Sequence, residues 1–176
     1  MIKLPLICPV CKSDVKKINQ VFLCKNKKCS HNKRINGFLI VKSIPIMISE
    51  NETDTVCAKN SIKSYIKRSP TKLRKLFKKK NYTTKKNCEK FIRHITLNKK
   101  KPKVLIIGGA EKGHGTDKLW NNKNIEIHST DIYMSENVHF ICDSHYLCLK
   151  TNYYDGVWIQ AVLEHVVEPN IVVNEI

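Results

Sequence analysis

The stretch from Val104 to Gly115 constrains the fold of this chain more than any other. Four apolar residues in a row lead directly into a turn that contains Gly108, Gly109 and Gly113. A run that is apolar at every position is typical of a parallel strand that is covered on both faces. Glycines after such a strand let the backbone turn sharply and come close to a ligand. The stretch therefore predicts an α/β fold with a ligand loop at one end of a parallel sheet.

Three further strand-like runs follow the loop, and two of them end in a carboxylate. They are Ile125 to Asp131, His139 to Asp143 and Tyr154 to Gln160, with a helix expected between the loop and the first run. The last of these runs is predicted to be a buried strand, like the one before the loop. An acid at the end of the second strand, about twenty residues after the loop, can accept hydrogen bonds from ribose hydroxyls. A single aspartate of this kind is usually an ordinary turn residue. The motifs in this order predict the nucleotide-binding half of a doubly wound α/β sheet.

The order of motifs from Val104 to Ile176 resembles the first half of class I S-adenosylmethionine-dependent methyltransferases. The most specific match is Leu163-Glu164-His165-Val166, followed by Glu168-Pro169 and Asn174-Glu175-Ile176. This segment is similar to the "LEHV…P…EI" signature of the small-molecule type, which dinucleotide dehydrogenases lack. The resemblance implies S-adenosylmethionine as cofactor and a small molecule or glycan precursor as methyl acceptor.

The resemblance also implies roles for individual residues. The glycine loop would bind the methionine part of the cofactor, Asp131 the ribose and Asp143 the adenine amino group. The complete set of cofactor-binding residues that it implies is Gly108, Gly109, Ala110, Gly113, Gly115, Asp131, Ile132, Asp143, Ser144 and Gln160. His165 is a candidate base close to the cofactor, but a structural role is at least as good an interpretation, and no catalytic residue is assigned.

The chain ends at Ile176, inside a helix that we expect to begin near Pro169. The resembled fold has seven strands, and about four are visible, so we expect an incomplete Rossmann-like sheet with the fourth strand at its edge. A truncated form of the enzyme is the corresponding expectation, and whether this chain has activity stays open.

Two cysteine pairs near the beginning of the chain predict a metal site. Cys8 and Cys11 form a Cys-x-x-Cys pair, and Cys24 and Cys29 follow after a spacing that fits a small hairpin. Four thiolates suit tetrahedral zinc, which supplies folding energy to a small module. His31 is an alternative to Cys29, although a lone histidine near a basic loop is more often solvated. A redox pair would need a thioredoxin-like context, and disulfides are disfavoured without a signal peptide. The other cysteines are interpreted as ordinary buried or free thiols: Cys57, Cys88, Cys142 and Cys148.

Residues 2 to 50 resemble the small zinc ribbons that occur as methyltransferase activator subunits or are fused in front of methyltransferases. The matching segments are Leu6 to Lys12, Leu23-Cys24, Cys29, Phe38 to Ile40 and Ile44 to Ile48. In that family the last segment is a strand that enters the core of the ribbon. The resulting organisation is a zinc ribbon over 1–50, a basic linker with two helices over 51–100 and the methyltransferase part over 101–176.

The net charge of +17 is unevenly distributed. Residues 50–100 contain sixteen basic and four acidic residues, whereas residues 101–176 contain six basic and ten acidic ones. The basic segment 59–101 is a candidate for RNA binding through phosphate contacts, although a solvated helical face explains it more simply. RNA methylation is therefore an alternative function, since some large-subunit rRNA guanine methyltransferases also carry a cysteine-rich zinc ribbon. A non-catalytic zinc-ribbon binding module is the third alternative.

The linker contains two helical patterns. One begins at Ser69-Pro70, and the other begins near Thr83-Thr84 and presents Cys88, Phe91, Ile92 and Ile95 on one face. That second face is expected to pack on the parallel sheet. The longest apolar stretch, Phe38 to Ile48, is too short to span a bilayer and contains Lys42. No membrane partner is expected, and a cytoplasmic location is the default.

Overall fold

A computed structural model of the chain describes residues 3–49, 82–97 and 99–176. The helix predicted from Ser69-Pro70, Cys57 and most of the basic segment 59–101 lie outside the described residues. The described part has a mixed α/β architecture with two four-stranded sheets.

The first sheet is antiparallel and follows the order of the chain. Its strands are β1 (Val15–Ile18), β2 (Val21–Cys24), β3 (Phe38–Val41) and β4 (Ile44–Pro45). In the hairpin of β1 and β2, Val15 lies opposite Cys24 and Ile18 opposite Val21. Asn19 takes a positive φ of 55° in the turn, a conformation that asparagine tolerates well. The hairpin that the cysteine spacing predicts is therefore confirmed.

The second sheet is parallel throughout. Its strands are β5 (Lys103–Ile107), β6 (Glu126–Asp131), β7 (Phe140–Ile141) and β8 (Gly156–Ile159), and they lie in the order β7-β6-β5-β8. Residues 104–107 are each at most 3% exposed, so the prediction that β5 is a fully buried strand is confirmed. The same prediction for β8 is wrong, because all four of its residues are only half-buried. Among the described residues β8 pairs with β5 alone, and one of its edges is therefore left unpaired.

In the described part of the chain three α-helices accompany the sheets: α1 (Tyr82–Thr96), α2 (Asp117–Trp120) and α3 (Pro169–Asn174). Helix α1 confirms the second predicted helix of the linker. Its Cys88 and Ile95 are buried in a cluster with Val104 and Ile106 of β5, and Phe91 and Ile92 pack against the same cluster. Helix α2, after the glycine loop, is a single turn. None of the helices in residues 3–49, 82–97 and 99–176 has the length and apolar character that crossing a membrane requires.

The two sheets share one hydrophobic cluster. From the first sheet and its flanking segments it contains Cys8, Cys24, Phe38 and Met47, and from the second it contains Leu105, Ile107, Phe140, Cys142, Leu147 and Cys148. Backbone hydrogen bonds cross the same boundary. The Ile7 N–H donates to the Cys148 carbonyl at 2.8 Å, and the Met47 N–H donates to the Ile141 carbonyl at 2.8 Å. The segments that flank the antiparallel sheet are thereby fixed to β7 and to the chain that follows β7.

Candidate metal site and ligand cleft

The four predicted cysteines come together at one end of the first sheet. The sulfur atoms of Cys8, Cys11, Cys24 and Cys29 all lie within 4.8 Å of one another. The Sγ atoms of Cys8 and Cys29 are 3.9 Å apart, and those of Cys11 and Cys24 are 3.4 Å apart. A tetrahedral zinc site with zinc–sulfur distances of about 2.3 Å has sulfur atoms about 3.8 Å apart. The geometry and the all-sulfur donor set therefore fit a structural zinc ion.

Two tight backbone turns present these sulfur atoms. The Lys12 N–H donates to the Cys8 carbonyl at 2.9 Å, and Lys12 has a positive φ of 55°. In the second turn the Cys29 N–H donates to the Asn26 carbonyl at 3.1 Å, and the Asn26 N–H donates to the Cys24 sulfur at 3.4 Å. The β1–β2 hairpin then brings the two turns face to face, because Cys24 is the last residue of β2.

The protonation of the thiols depends on their different surroundings. Burial raises the pKa of Cys24 to about 11, and it raises the pKa of Cys8 far above the ordinary range. Burial also acts to raise the pKa of Cys11, but hydrogen bonds with Ser13, Cys24 and Cys29 together outweigh it and lower that pKa to about 6. Since a metal binds the thiolate form, it has to displace protons from the buried pair at neutral pH.

His31 is a buried structural residue and lies outside the cysteine cluster. It is only 7% exposed, so the expectation of a solvated histidine is wrong. Its Nε2 lies 2.8 Å from the Ser49 Oγ, its Nδ1 contacts the Asn36 carbonyl, and its ring stacks on Phe38 at 4.4 Å. Among the described cysteines, Cys88, Cys142 and Cys148 are buried free thiols, as the sequence predicts.

The glycine loop, residues 108–115, begins at the carboxyl end of β5. Gly108 has a positive φ of 76°, and a Cβ atom at this position would overlap the Cγ2 atom of Val162, which follows β8. Gly113 lies against the Gln160 side chain, and a Cβ there would overlap the Gln160 Oε1. The positive φ makes glycine the favoured residue at position 108, whereas a side chain at position 113 would require the Gln160 side chain to move.

A cavity of about 350 Å³ opens between this loop, the end of β6 and the segment after β8. A volume of this order is within the usual range for small-molecule and cofactor sites. We call it the ligand cleft. Its walls are formed by Ile107, Gly108, Ala110, Glu111, Thr130, Asp131, Ile132, Tyr133, Met134, Ser135, Cys142, Ser144, Ala161, Val162, His165 and Val166.

Asp131, the last residue of β6, contacts the glycine loop at the wall of the ligand cleft. Its Oδ2 accepts a hydrogen bond from the Ala110 N–H at 2.9 Å, and its Oδ1 accepts one from the Tyr133 N–H at 3.0 Å. Burial raises the pKa of Asp131 above its ordinary value, although these N–H groups act in the opposite direction. Each carboxylate oxygen can accept a further hydrogen bond. The residue can therefore hold two hydroxyl groups of a ligand.

The structure brings only part of the predicted cofactor set to the walls of the ligand cleft. Gly108, Ala110, Asp131, Ile132 and Ser144 line it, together with the candidate base His165. The other predicted residues lie outside the lining set: Gly109, Gly113, Gly115, Asp143 and Gln160.

The Asp143 carboxylate is engaged within its own turn. It accepts hydrogen bonds from the His145 N–H at 2.8 Å and from the His145 Nδ1 at 2.7 Å. The role that the resemblance implies for Asp143 stays a prediction.

Thr130 is a cleft residue that the sequence reasoning missed. It is 1% exposed, and within the described part of the chain its Oγ1 has no hydrogen-bond partner. A buried hydroxyl without a partner is unfavourable by about 1–3 kcal/mol, so a ligand atom that bonded to it would remove that cost. Its position directly before Asp131, at the end of the same strand, was the available signal.

Comparison of this chain with models of known protein families, with curated proteins and with solved structures found no match.

Proposed function

We propose that the chain binds S-adenosylmethionine in the ligand cleft and belongs to a methyltransferase that acts on a small molecule or glycan precursor. The observation that carries the proposal is that Asp131 and the glycine loop, joined by a hydrogen bond at Ala110, line the same cleft. The parallel strand order β7-β6-β5-β8 supports it, because numbered from β5 this is 3-2-1-4, the order of a doubly wound nucleotide-binding fold. In such folds ligands bind at the carboxyl ends of the strands, where the order reverses.

Different residues of the cleft would bind different parts of the cofactor. Asp131 would accept hydrogen bonds from the ribose hydroxyls, and the close approach of the backbone at Gly108 would admit the methionine part. S-adenosylmethionine supplies a methyl group already activated by its sulfonium, so the protein mainly has to position the acceptor. His165 is exposed at the cleft and could accept a proton where the acceptor has to lose one.

We further propose that the four cysteines bind one structural zinc ion and that the first sheet is a zinc ribbon. Cys8, Cys11, Cys24 and Cys29 would hold the ion, and the fit of their sulfur spacing to a tetrahedral site supports this. A site with four protein ligands has no open position for substrate. Its role would be to stabilise the fold.

The test is cofactor binding to the zinc-loaded chain, measured by isothermal titration calorimetry. S-adenosylmethionine and S-adenosylhomocysteine should bind, while NAD should bind far more weakly. Asp131→Asn should reduce the affinity at least about tenfold, because it removes the charged acceptor of the ribose hydroxyls. Glu126→Gln, at the opposite end of β6, is the matched control and should bind normally.

Stoichiometric zinc without binding of either adenosyl ligand would contradict the methyltransferase proposal. It would support the alternative of a non-catalytic zinc-ribbon binding module.

RNA methylation is a second candidate because of a basic cleft on the first sheet. This cleft of about 440 Å³ is lined by Lys3, Lys17 and Lys42 together with apolar residues that include Phe22 and Ile40, and none of the described residues that line it is acidic. Lysines can contact phosphates while an aromatic ring stacks on a base. Binding of a short RNA that weakens steeply with salt, and that Lys17→Ala/Lys42→Ala abolishes, would favour this candidate. Binding that is insensitive to both changes would exclude it.

A further inference from the structure

We propose that Lys12, next to the metal ligand Cys11, positions the turn that carries Asp143 and Ser144, so that zinc binding and cofactor binding are coupled. We call Cys8 to Lys12 the metal knuckle and residues 143–147 the clamped turn. The identity of the cofactor rests on the proposed function above. The mechanical link between the metal knuckle and the clamped turn can be measured without it.

The link is formed at Leu147, the last residue of the clamped turn. The Lys12 Nζ donates to the Leu147 carbonyl at 3.0 Å and to the Glu175 Oε2 at 2.8 Å. The Leu147 N–H donates to the same Glu175 oxygen at 2.8 Å. Both backbone polar groups of Leu147 are therefore held by side chains, one from the metal knuckle and one that follows α3. Loss of the Lys12 ammonium would leave the Leu147 carbonyl without its donor.

The metal ligands set the position of Lys12 itself. Its N–H closes the knuckle onto the Cys8 carbonyl at 2.9 Å, and its φ is 55°. A residue other than glycine in this conformation is held there by its surroundings. A zinc ion bound by Cys8 and Cys11 would hold the loop closed and thereby keep the Lys12 side chain directed at Leu147.

The chain on either side of the metal knuckle makes further contacts with the residues after the clamped turn. The Ile7 N–H donates to the Cys148 carbonyl at 2.8 Å, and the Lys150 N–H donates to the Pro5 carbonyl at 3.0 Å. The Lys150 Nζ also lies 3.0 Å from an Asp14 carboxylate oxygen. Residues 148–150 therefore form a short antiparallel contact with the segment that leads into the first ligand.

At its other end the clamped turn reaches the ligand cleft. Asp143 begins the turn by accepting a hydrogen bond from the His145 N–H at 2.8 Å, and Ser144 lines the cleft. The Glu168 N–H donates to the His145 Nε2 at 3.2 Å, which connects the turn to the segment after His165. The side chains that fix Leu147 therefore also limit how far the wall at Ser144 can move. Zinc loss would release this wall and lower the affinity for the cofactor.

The first test is hydrogen exchange of the full chain, compared between the zinc-loaded wild type, the zinc-free wild type and zinc-loaded Lys12→Met. The exchange rate of the Leu147 amide should rise about tenfold on zinc removal and in Lys12→Met, since this amide donates to the Glu175 oxygen that the Lys12 ammonium also holds. The amides of β5 should stay protected in Lys12→Met, which shows that the sheet is folded.

Lys25→Met is the matched control for Lys12→Met. Lys25 also follows a ligand cysteine, Cys24, but it pairs with Asp14 at 3.8 Å, and within the described residues its ammonium does not bond to the clamped turn. Its exchange pattern should equal that of the wild type. Equal exchange at Leu147 in Lys12→Met and Lys25→Met would overturn the proposal, and so would protection that does not change when zinc is removed.

The second test is S-adenosylmethionine affinity of the same zinc-loaded proteins. Lys12→Met should bind about tenfold more weakly than Lys25→Met, and Lys12→Arg should recover part of the loss because it can still donate to Leu147. If Lys12→Met and the wild type bind S-adenosylmethionine with equal affinity, the proposal that Lys12 influences the ligand cleft is wrong. A zinc-loaded wild type that binds no adenosyl ligand would instead overturn the proposed function, and the exchange experiment would still decide the mechanical link.

Discussion

The two sheets of this chain are built in different ways. In β5 four of five residues are buried, whereas in β1 three of four residues are exposed and two of them are lysines. The first sheet buries only a few apolar side chains of its own, including Val21, Leu23 and Phe38. A module with so little apolar burial usually needs a metal or a neighbouring core to fold. We infer that the four cysteines and the hydrophobic cluster shared with Leu105 and Phe140 together stabilise the first sheet, whose own apolar core is small.

The largest expected effect comes from removing half of the metal site. Cys8→Ser/Cys11→Ser should abolish stoichiometric zinc binding, since structural zinc contributes about 10–16 kcal/mol to such modules. Metal analysis after dialysis measures the outcome. Cys88→Ser, a buried thiol on α1 outside the cluster, should retain the full zinc content. Retention of one zinc ion by the double variant would contradict the view that the first sheet, unlike the second, depends on a metal held by these cysteines.

The next largest effect is expected from shortening a buried side chain in the hydrophobic cluster that the two sheets share. Leu105→Ala should lower the free energy of unfolding by about 2–5 kcal/mol, because Leu105 is 2% exposed and its loss leaves a cavity. Urea unfolding followed by circular dichroism measures it. Leu97→Ala, at a position that is 69% exposed, should change stability by less than about 0.5 kcal/mol.

The variant Leu105→Ala also tests whether the two sheets unfold together. If they share one core, Leu105→Ala should also lower the zinc affinity, because metal binding and folding are linked. An unchanged zinc affinity in a clearly destabilised protein would show that the two sheets unfold independently.

A smaller effect is expected at the glycine loop. Gly108→Ala should weaken binding of S-adenosylmethionine, since the positive φ alone costs about 1–2 kcal/mol in a residue with a Cβ. The added methyl would also overlap Val162. Calorimetric titration measures the affinity. Gly108→Ala/Val162→Ala should recover the steric part of the loss, and a double variant no better than the single one would contradict the steric explanation.

The smallest predicted effect concerns pH. Burial lowers the pKa of His139, and its Nδ1 accepts a hydrogen bond from the Ser129 N–H at 3.0 Å, so the folded state holds this ring neutral. The unfolded chain takes up a proton as the pH falls below about 6.5, while the folded chain resists it. The stability that depends on this histidine is therefore present above about pH 6.5 and is lost in acid.

In His139→Asn the free energy of unfolding should fall less on acidification than in the wild type, by about 1 kcal/mol or less. The reason is that an asparagine oxygen can still accept the Ser129 hydrogen bond but does not titrate. Urea unfolding between about pH 7 and about pH 5 measures the slope. His94→Asn, at an exposed position of α1, is the matched control. Identical slopes for His139→Asn and the wild type would contradict the assignment.

Much of the secondary structure was predictable because it depends on local patterns. The apolar run before Gly108 predicted β5, the spacing between Cys11 and Cys24 predicted the hairpin, and the helical spacing from Cys88 to Ile95 predicted α1. The burial of β8 was predicted wrongly because exposure of a strand depends on its neighbours in the sheet, and these are not encoded in the strand itself. His31 was misjudged for a similar reason, since Ser49 and Phe38 approach it from distant parts of the sequence.

The sequence by itself determined the chemistry that is available: four thiols in two close pairs, a glycine loop after an apolar strand and an acid at the end of the next strand. These are short-range properties of residue type and spacing, and the local backbone can express them directly. Only the tertiary structure decided that the Thr130 Oγ1 at the ligand cleft has no hydrogen-bond partner among residues 3–49, 82–97 and 99–176. Only the tertiary structure also placed Lys12 on the carbonyl of Leu147, 135 residues further along the chain. Contacts of this length depend on how the two sheets pack together, and no local pattern specifies that packing.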